Sequence, residues 1–160
     1  MRKTFVQEIT KHARLNKDII VVVGDLGFNV WDEFRKELPD QFINVGASEQ
    51  AGMGIAVGLA LEGKIPLFYS ITPFVLYRPF ETIRNYIHHE KIPVKLIGTG
   101  RDRDYLDHGF CHWAEEDRII FDKVFDNILA VWPEDKESIP QYVEMMLRVK
   151  DPVYLNLKRA

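Results

Sequence analysis

Cysteine is nearly absent from this sequence, since Cys111 is the only one among 160 residues. A single thiol cannot form an intrachain disulfide, so a reducing and hence cytoplasmic compartment is predicted. Long apolar runs are missing as well, and no stretch approaches the roughly 20 residues that a membrane-spanning helix requires. The first residues mix charged with apolar side chains, which favours an amphipathic helix over a signal peptide.

An excess of positive charge is also missing, because the formal net charge is -3 at pH 7. Binding to nucleic acid or to an anionic membrane normally needs a basic surface, so neither partner is expected. A local basic spot could still hold a phosphate group. No repeat, low-complexity tract or linker interrupts the chain, and its length suits a single domain over residues 1–160.

Short apolar runs alternate with amphipathic helical stretches along the whole chain. Six runs predict strands, at 19–23, 42–45, 66–71, 94–98, 128–132 and 153–157. Strands separated by helices imply βαβ units. The expected fold class is therefore α/β, a three-layer sandwich with a mainly parallel, doubly wound sheet of about six strands. Ligands bind beyond the carboxyl ends of such strands, so the loops that follow them are the places to search for a site.

One of these loops leads into a glycine-rich helix predicted over residues 48–62. Glu49 lies in its first turn, where backbone N–H groups and the helix dipole favour a negative charge. A simple capping role would explain that position equally well. The helix carries Gly52, Gly54 and Gly58, and glycine weakens a helix interior. Close packing is therefore expected, either on the domain's own sheet or against a partner's helix.

The segment around Glu49 resembles the pyrimidine-binding domain of transketolases, in which a GxxEQ or GxxEH sequence opens a glycine-rich helix. The resemblance spans five segments in the family's order: residues 21–27, 44–64, 68–84, 109–112 and 151–159. It therefore covers nearly the whole chain. It identifies the superfamily more firmly than it identifies a substrate.

The resemblance implies thiamine diphosphate as the cofactor and the fold that binds it. Glu49 matches the glutamate that hydrogen-bonds N1′ of the aminopyrimidine, a contact that favours the tautomer able to accept the thiazolium C2 proton. Phe74 matches the aromatic residue that stacks on the same ring. The positions that match cofactor-binding residues are Asp25, Leu26, Ile71, Phe74 and Tyr77.

Substrate positions follow from the same resemblance. His112 matches a catalytic histidine near the reacting carbons, and Arg2 and Arg159 match arginines that bind sugar phosphate. The loop over residues 99–114 departs from the family. It has Gly100-Arg101 where a histidine followed by Asp or Glu is usual, and His108 where an aspartate is usual. We hypothesise that this loop, with Arg101, Arg103, Asp107 and His108, reads a modified sugar such as a nucleotide-linked or unusual ketose.

Half of the family's cofactor site is not found in the sequence. The diphosphate and its metal bind a GDG segment followed by an asparagine, and Gly24-Asp25-Leu26 is a different motif in the other kind of domain. The resemblance thus implies a partner subunit that holds Mg²⁺ or Ca²⁺, with activity only in the complex, most plausibly an α₂β₂ heterotetramer. The family's third, carboxy-terminal domain is also missing, through either natural reduction or trimming.

Three other interpretations compete with a ketol transferase. Two of the enzyme types would use the same cofactor. The β subunits of 2-oxoacid dehydrogenases share the segment around Glu49 but carry a third domain that is not found here, and small 2-oxoacid decarboxylases share the short length but match the aromatic loop poorly. A non-catalytic interaction module of this fold would not need Glu49, Phe74 and His112 together. A nucleotide-binding protein is disfavoured because neither a P-loop nor a GxGxxG pattern follows any predicted strand.

Overall fold

The computed structural model describes residues 1–159, which form a six-stranded sheet between two layers of helices. The strands are β1 (Ile19–Val23), β2 (Phe42–Asn44), β3 (Ile65–Ile71), β4 (Lys95–Thr99), β5 (Leu129–Val131) and β6 (Val153–Leu157). Every neighbouring pair is parallel. The prediction of a parallel, doubly wound sheet is confirmed, and the observed strand ends differ from the predicted ones by a residue or so.

Helices cover both faces of the sheet and divide the core in two. One face packs against α1 (Arg2–Leu15), α2 (Asp32–Glu37) and α7 (Ile139–Arg148). The other packs against α3 (Glu49–Leu61), α4 (Thr72–Leu76), α5 (Phe80–Thr82) with the π-helical turns that extend it over Ile83–His89, and α6 (Asp117–Lys123). Within residues 1–159, no helix has the combined length and apolar character needed to cross a bilayer.

The strand order is β2-β1-β3-β4-β6-β5. The chain therefore leaves β1 in one direction to form β2 and returns on the other side to form β3. Loops that follow the two strands at such a reversal diverge and leave a crevice beyond the carboxyl ends of the strands. The topology thus directs a ligand to the region between the loops after β1 and β3, with the start of α3 beside them.

Helix α3 begins and ends as the sequence predicts. Ser48 occupies the N-cap position, although its side chain makes no capping hydrogen bond. Gly63 follows the helix with φ of +80°, and the amides of Gly63 and Lys64 donate to the carbonyls of Ala60 and Leu59. This Schellman arrangement needs a left-handed residue, which explains the glycine.

A buried carboxylate attaches α6 to the sheet. Asp117 is fully buried, and its Oδ2 accepts hydrogen bonds from Trp132 Nε1 at 2.8 Å, Tyr154 Oη at 2.8 Å and Asn156 Nδ2 at 2.6 Å. Burial, followed by the neighbouring Asp117, raises the pKa of Tyr154 well above its usual value. Tyr154 therefore stays protonated and serves as a hydrogen-bond donor to the carboxylate.

Candidate functional site

Asn44, at the end of β2, ties together the loops that form the crevice. Its Oδ1 accepts hydrogen bonds from the backbone amides of Asp25 at 3.1 Å and Gly46 at 2.9 Å, and its Nδ2 lies 3.4 Å from Asp25 Oδ1. Asp25 has φ of 49°, a left-handed conformation that is uncommon outside glycine. Asn44 thus holds the loop after β1 in a specific shape beside the start of α3.

Glu49 lies deep in this crevice, with only 3% of its surface exposed. The backbone of Gly24, directly after β1, faces its carboxyl group: a Cβ built on Gly24 would come within 3.2 Å of Glu49 Oε1 and Cγ. A side chain at position 24 would therefore crowd the carboxylate. The glycine leaves the space in which the Glu49 carboxyl can turn toward the open side of the crevice.

The carboxylate of Glu49 binds an arginine whose guanidinium lies over an aromatic ring. Arg78 Nη1 donates a hydrogen bond to Glu49 Oε1 at 2.6 Å, and the guanidinium carbon of Arg78 lies 3.6 Å from the centroid of the Phe74 ring. Phe74 comes from α4, directly after β3, so the crevice at the strand reversal joins the two predicted residues through Arg78. The Phe74 face therefore accepts a planar group whose edge reaches Glu49.

Sequence reasoning did not identify Arg78, although a signal for it exists. Arg78 follows Phe74 by four residues, a spacing that places two side chains on the same side of a helical turn. Pro79 then ends the segment and leads into α5. The role of Arg78 has no local signal beyond this spacing, because the carboxylate that pairs with it lies 29 positions earlier in the chain.

His112 extends the aromatic surface from Phe74. The two ring centroids are 5.0 Å apart in an edge-to-face arrangement, and the His108 ring lies 5.2 Å from that of His112. Partial burial, then the charges of His108 and Arg78, lower the pKa of His112 below its usual value. His112 is therefore neutral at neutral pH and able to accept or relay a proton.

Two arginines from opposite ends of the chain meet beyond the histidines. Arg2 Nε donates to the carbonyl oxygen of Arg159 at 3.0 Å, and the Arg159 guanidinium lies 4.7 Å from the centroid of the Tyr105 ring. The Tyr105 ring in turn lies 5.4 Å from that of His108. A continuous row of side chains thus runs from the Glu49 carboxylate to a positively charged end of the crevice.

Arg101 is placed differently from the prediction that it contacts substrate. Its side chain is 3% exposed, and its guanidinium donates to the carbonyls of Pro133 and Asn156 at 2.7 and 2.8 Å and to Glu134 at 3.1 Å. Polar residues after a strand suggest a binding loop, but a buried guanidinium with three partners inside the fold has a structural role. We therefore remove Arg101 from the candidate binding residues.

The other predicted positions differ in how closely they approach the centre. Leu26 and Ile71 are both partly buried. Leu26 lies within the loop after β1, and Ile71 is the last residue of β3. Tyr77 is 37% exposed, and burial of its hydroxyl together with a hydrogen bond to Glu116 raises its pKa. Arg103 pairs with Glu115 at 2.9 Å and lies over Trp113. Arg103 therefore faces its own loop.

The α3 glycines fall into two groups. A Cβ on Gly52 would come within 2.7 Å of Val45 and 2.8 Å of Phe68, so close packing on the domain's own sheet explains this glycine. Cβ atoms on Gly54 and Gly58 would meet nothing within 4 Å. The same outward face carries exposed Ile55 at 41%, and Leu61 at 69% follows it at the helix end. We call this surface, formed by Gly54, Ile55, Gly58 and Leu61, the outer α3 face.

The residues of the crevice are compatible with the aminopyrimidine that the resemblance implies, because a planar guanidinium lies over Phe74 and donates to the buried Glu49 carboxylate. The same residues do not supply a metal site. Within residues 1–159 no three His, Cys, Asp or Glu side chains are grouped so that they could hold an ion.

Comparisons with known proteins agree with this geometry. The family model for the transketolase pyrimidine-binding domain matches residues 1–160. A protein of Methanocaldococcus jannaschii named as a putative transketolase C-terminal section is 30% identical over 99% of this chain and 50% of its own length. One of the subunits of the apulose-4-phosphate transketolase of Phocaeicola vulgatus is 30% identical over 99% of this chain and 51% of its own.

A solved structure shows the same relationship in three dimensions. The split-gene transketolase described as an inactive beta4 tetramer is 31% identical, with a TM-score of 0.86 over 99% of this chain and 51% of that chain. The chain thus spans about half the length of the relatives that it matches.

Proposed function

Because the chain belongs to the transketolase pyrimidine-binding domain family, we propose that it is the pyrimidine-binding subunit of a two-chain, thiamine diphosphate-dependent transferase. The proposed reaction moves a two-carbon ketol unit between sugar or sugar-phosphate substrates. The cofactor supplies the electron sink, and the protein supplies binding, orientation and proton transfer. The observation that carries the proposal is the buried Glu49 carboxylate, which accepts a hydrogen bond from a planar guanidinium that lies over the Phe74 ring.

In this proposal each residue of the crevice has a separate task. Glu49 exchanges a proton with N1′ of the aminopyrimidine, Phe74 stacks on that ring, and Gly24 leaves room for the carboxyl group. Asp25, which Asn44 holds in place, and its neighbour Leu26 contact the thiamine from the loop after β1. His112, neutral and next to Phe74, accepts or donates a proton at the substrate's oxygen atoms.

We propose that the outer α3 face contacts the diphosphate-binding subunit. The helix that presents Glu49 at its start also carries this uncovered apolar surface, so a partner that brings the diphosphate to the crevice would pack along the same helix. The metal, Mg²⁺ or Ca²⁺, would then be held by that subunit in a heterotetramer with two copies of each chain. The names of two relatives, one a C-terminal section and the other a transketolase subunit, support a divided enzyme.

Ile55→Glu is expected to weaken assembly with the diphosphate-binding partner by at least about tenfold, because a charge would be buried in an apolar contact. The free energy of unfolding of the isolated chain should change little, since Ile55 is 41% exposed in it. Titration calorimetry of the two chains measures the effect, with Leu15→Glu on the opposite helical layer as the matched control. Loss of self-association alone would instead assign this face to a second copy of the chain.

The positively charged end of the crevice supports a phosphorylated substrate. Arg159 lies over Tyr105 at the far end of the row from Glu49, and Arg2 donates a hydrogen bond to the carbonyl oxygen of Arg159. A planar guanidinium pairs well with a phosphate group. The hypothesis of a modified sugar remains only for His108 and Asp107, since Arg101 and Arg103 are engaged within the fold. A relative named for apulose-4-phosphate agrees with a phosphorylated substrate.

Arg159→Ala is expected to raise KM for a phosphorylated ketose by roughly tenfold or more, because a charge-assisted hydrogen bond to phosphate would be lost. The same variant should leave KM for the corresponding unphosphorylated ketose nearly unchanged. Steady-state kinetics of the reconstituted enzyme on both substrates give the comparison, and Arg148→Ala on the surface of α7 is the control. An equal change for both substrates would contradict a phosphate contact.

A further inference from the structure

The flat group on Phe74 is part of the protein itself. The guanidinium carbon of Arg78 lies over the Phe74 ring, 3.6 Å from its centroid, and Arg78 Nη1 donates to Glu49 Oε1 at 2.6 Å. Under the proposed function, the aminopyrimidine needs the same two contacts: the face of Phe74 and the carboxyl group of Glu49. The arginine and the cofactor ring cannot both have them.

We propose that Arg78 occupies the aminopyrimidine position in the free chain and withdraws when the cofactor binds. This inference rests on the proposed function and adds to it a residue that competes with the cofactor within its own subunit. The guanidinium imitates the ring in being planar and in offering N–H donors at its edge. It differs in its fixed positive charge, which pairs with a carboxylate that would otherwise be buried alone.

Arg78 is placed so that it can leave without disturbing the core. Its side chain is 44% exposed, in contrast to the 3% exposure of Glu49. It belongs to the short connection between α4 and α5, where Tyr77 and Pro79 flank it. Within residues 1–159, Glu49 is the hydrogen-bond and ion-pair partner that the structure gives Arg78, and Phe74 is its stacking partner. Rotation of one side chain toward solvent therefore vacates the ring position.

The consequence is a site that is closed and electrostatically balanced until the cofactor replaces the arginine. Removing one member of a buried ion pair leaves an uncompensated charge, so the free chain is stabilised with Arg78 in place. When the aminopyrimidine takes over the hydrogen bond to Glu49, the cation is released toward solvent. The affinity for the cofactor ring is then reduced by the fraction of molecules in which Arg78 covers Phe74.

The test measures binding of 4-amino-5-hydroxymethyl-2-methylpyrimidine, the neutral ring half of thiamine, to the isolated 160-residue chain in mildly alkaline buffer. NMR titration gives its dissociation constant, and a neutral probe excludes simple charge repulsion as the explanation. Arg78→Ala should bind this probe about tenfold more tightly than the unaltered chain, because a charge-assisted hydrogen bond and a cation–π contact no longer compete. Arg84→Ala, which removes an exposed arginine of the following helical segment, should have no effect.

Arg78→Gln provides a second variant that keeps a neutral donor for the buried carboxylate, with folding of each variant confirmed by circular dichroism. Tighter binding by either folded variant supports the proposal. Unchanged or weaker binding in both overturns it, and so does an absence of binding in all forms, since a vacated ring position should accept the probe. Phe74→Ala distinguishes failure of the proposed cofactor site from failure of the competing role of Arg78. If Phe74→Ala abolishes probe binding while the Arg78 variants do not bind the probe more tightly, the cofactor site is supported and the competing role of Arg78 is refuted.

Discussion

Glu49→Gln is expected to slow exchange of the thiazolium C2 proton by roughly 10²–10⁴-fold in the complex with a diphosphate-binding subunit. The amide keeps the size of the side chain but cannot exchange a proton with N1′ of the aminopyrimidine. Glu49 is 3% exposed and faces the Phe74 side of the crevice, so water cannot readily substitute for it. Exchange into deuterated buffer, followed by NMR of the cofactor, measures the rate directly.

Glu62→Gln is the matched control for this experiment, because it makes the same change at the other end of α3 on an exposed residue. It should leave C2 exchange at the rate of the unaltered complex. Unimpaired exchange in a folded, assembled Glu49→Gln complex would refute the role assigned to Glu49. A failure of that complex to assemble would show up separately in the calorimetry of the two chains.

Asp117→Ala is expected to lower the free energy of unfolding by roughly 3 kcal/mol or more, because three buried donors would lose their acceptor. Trp132, Tyr154 and Asn156 all donate to the same Asp117 oxygen, and the carboxylate connects α6 to the last two strands. Urea unfolding of the isolated chain provides the measurement. The whole unfolding transition should shift to lower urea concentration as a single step, since β6 lies between β4 and β5 in the sheet.

Asp122→Ala on the same helix is the comparison for this stability change. Asp122 is exposed and pairs only locally with Lys123, so a contribution near zero is expected from it. Similar losses in the two variants would mean that the three hydrogen bonds to Asp117 do not stabilise the fold as described. The site itself should be affected little, because Asp117 lies outside the row that runs from Glu49 to Arg159.

Much of the fold could be predicted because its strands have a strong local signal. The run Ile19–Val23 is apolar at every position, and the structure buries each of those residues in the second strand position from the sheet edge. The sequence also predicts the polar loop over residues 99–114, but not the local structure within it. It contains two 3-10 turns, Leu106–His108 and Phe110–His112, and a bridge between Asp102 and Ala114. Such pairing leaves no periodic signal in the sequence.

How well the environment of a residue could be predicted depended on whether its contacts are near or distant in the chain. Glu49 and Phe74 were predicted as site residues because their immediate neighbours form a recognisable segment, and in the structure both contact Arg78. The position of Arg101 inside the fold could not be predicted, because nothing near it in the chain reveals that Pro133 and Asn156 accept its hydrogen bonds. The same reason explains why Gly52, which packs on Phe68, could not be separated beforehand from Gly54 and Gly58.

The sequence by itself determined the alternation of strands and helices, the parallel sheet and the position of a carboxylate in the first turn of α3. These properties depend on side-chain periodicity and on residues within a few positions of one another. Tertiary structure alone decided that Asn44 holds the loop of Asp25, that Arg78 covers Phe74, and that Arg2 meets Arg159. Those contacts follow from the order of strands in the sheet, because side chains distant in the chain meet only after the strands have taken their places.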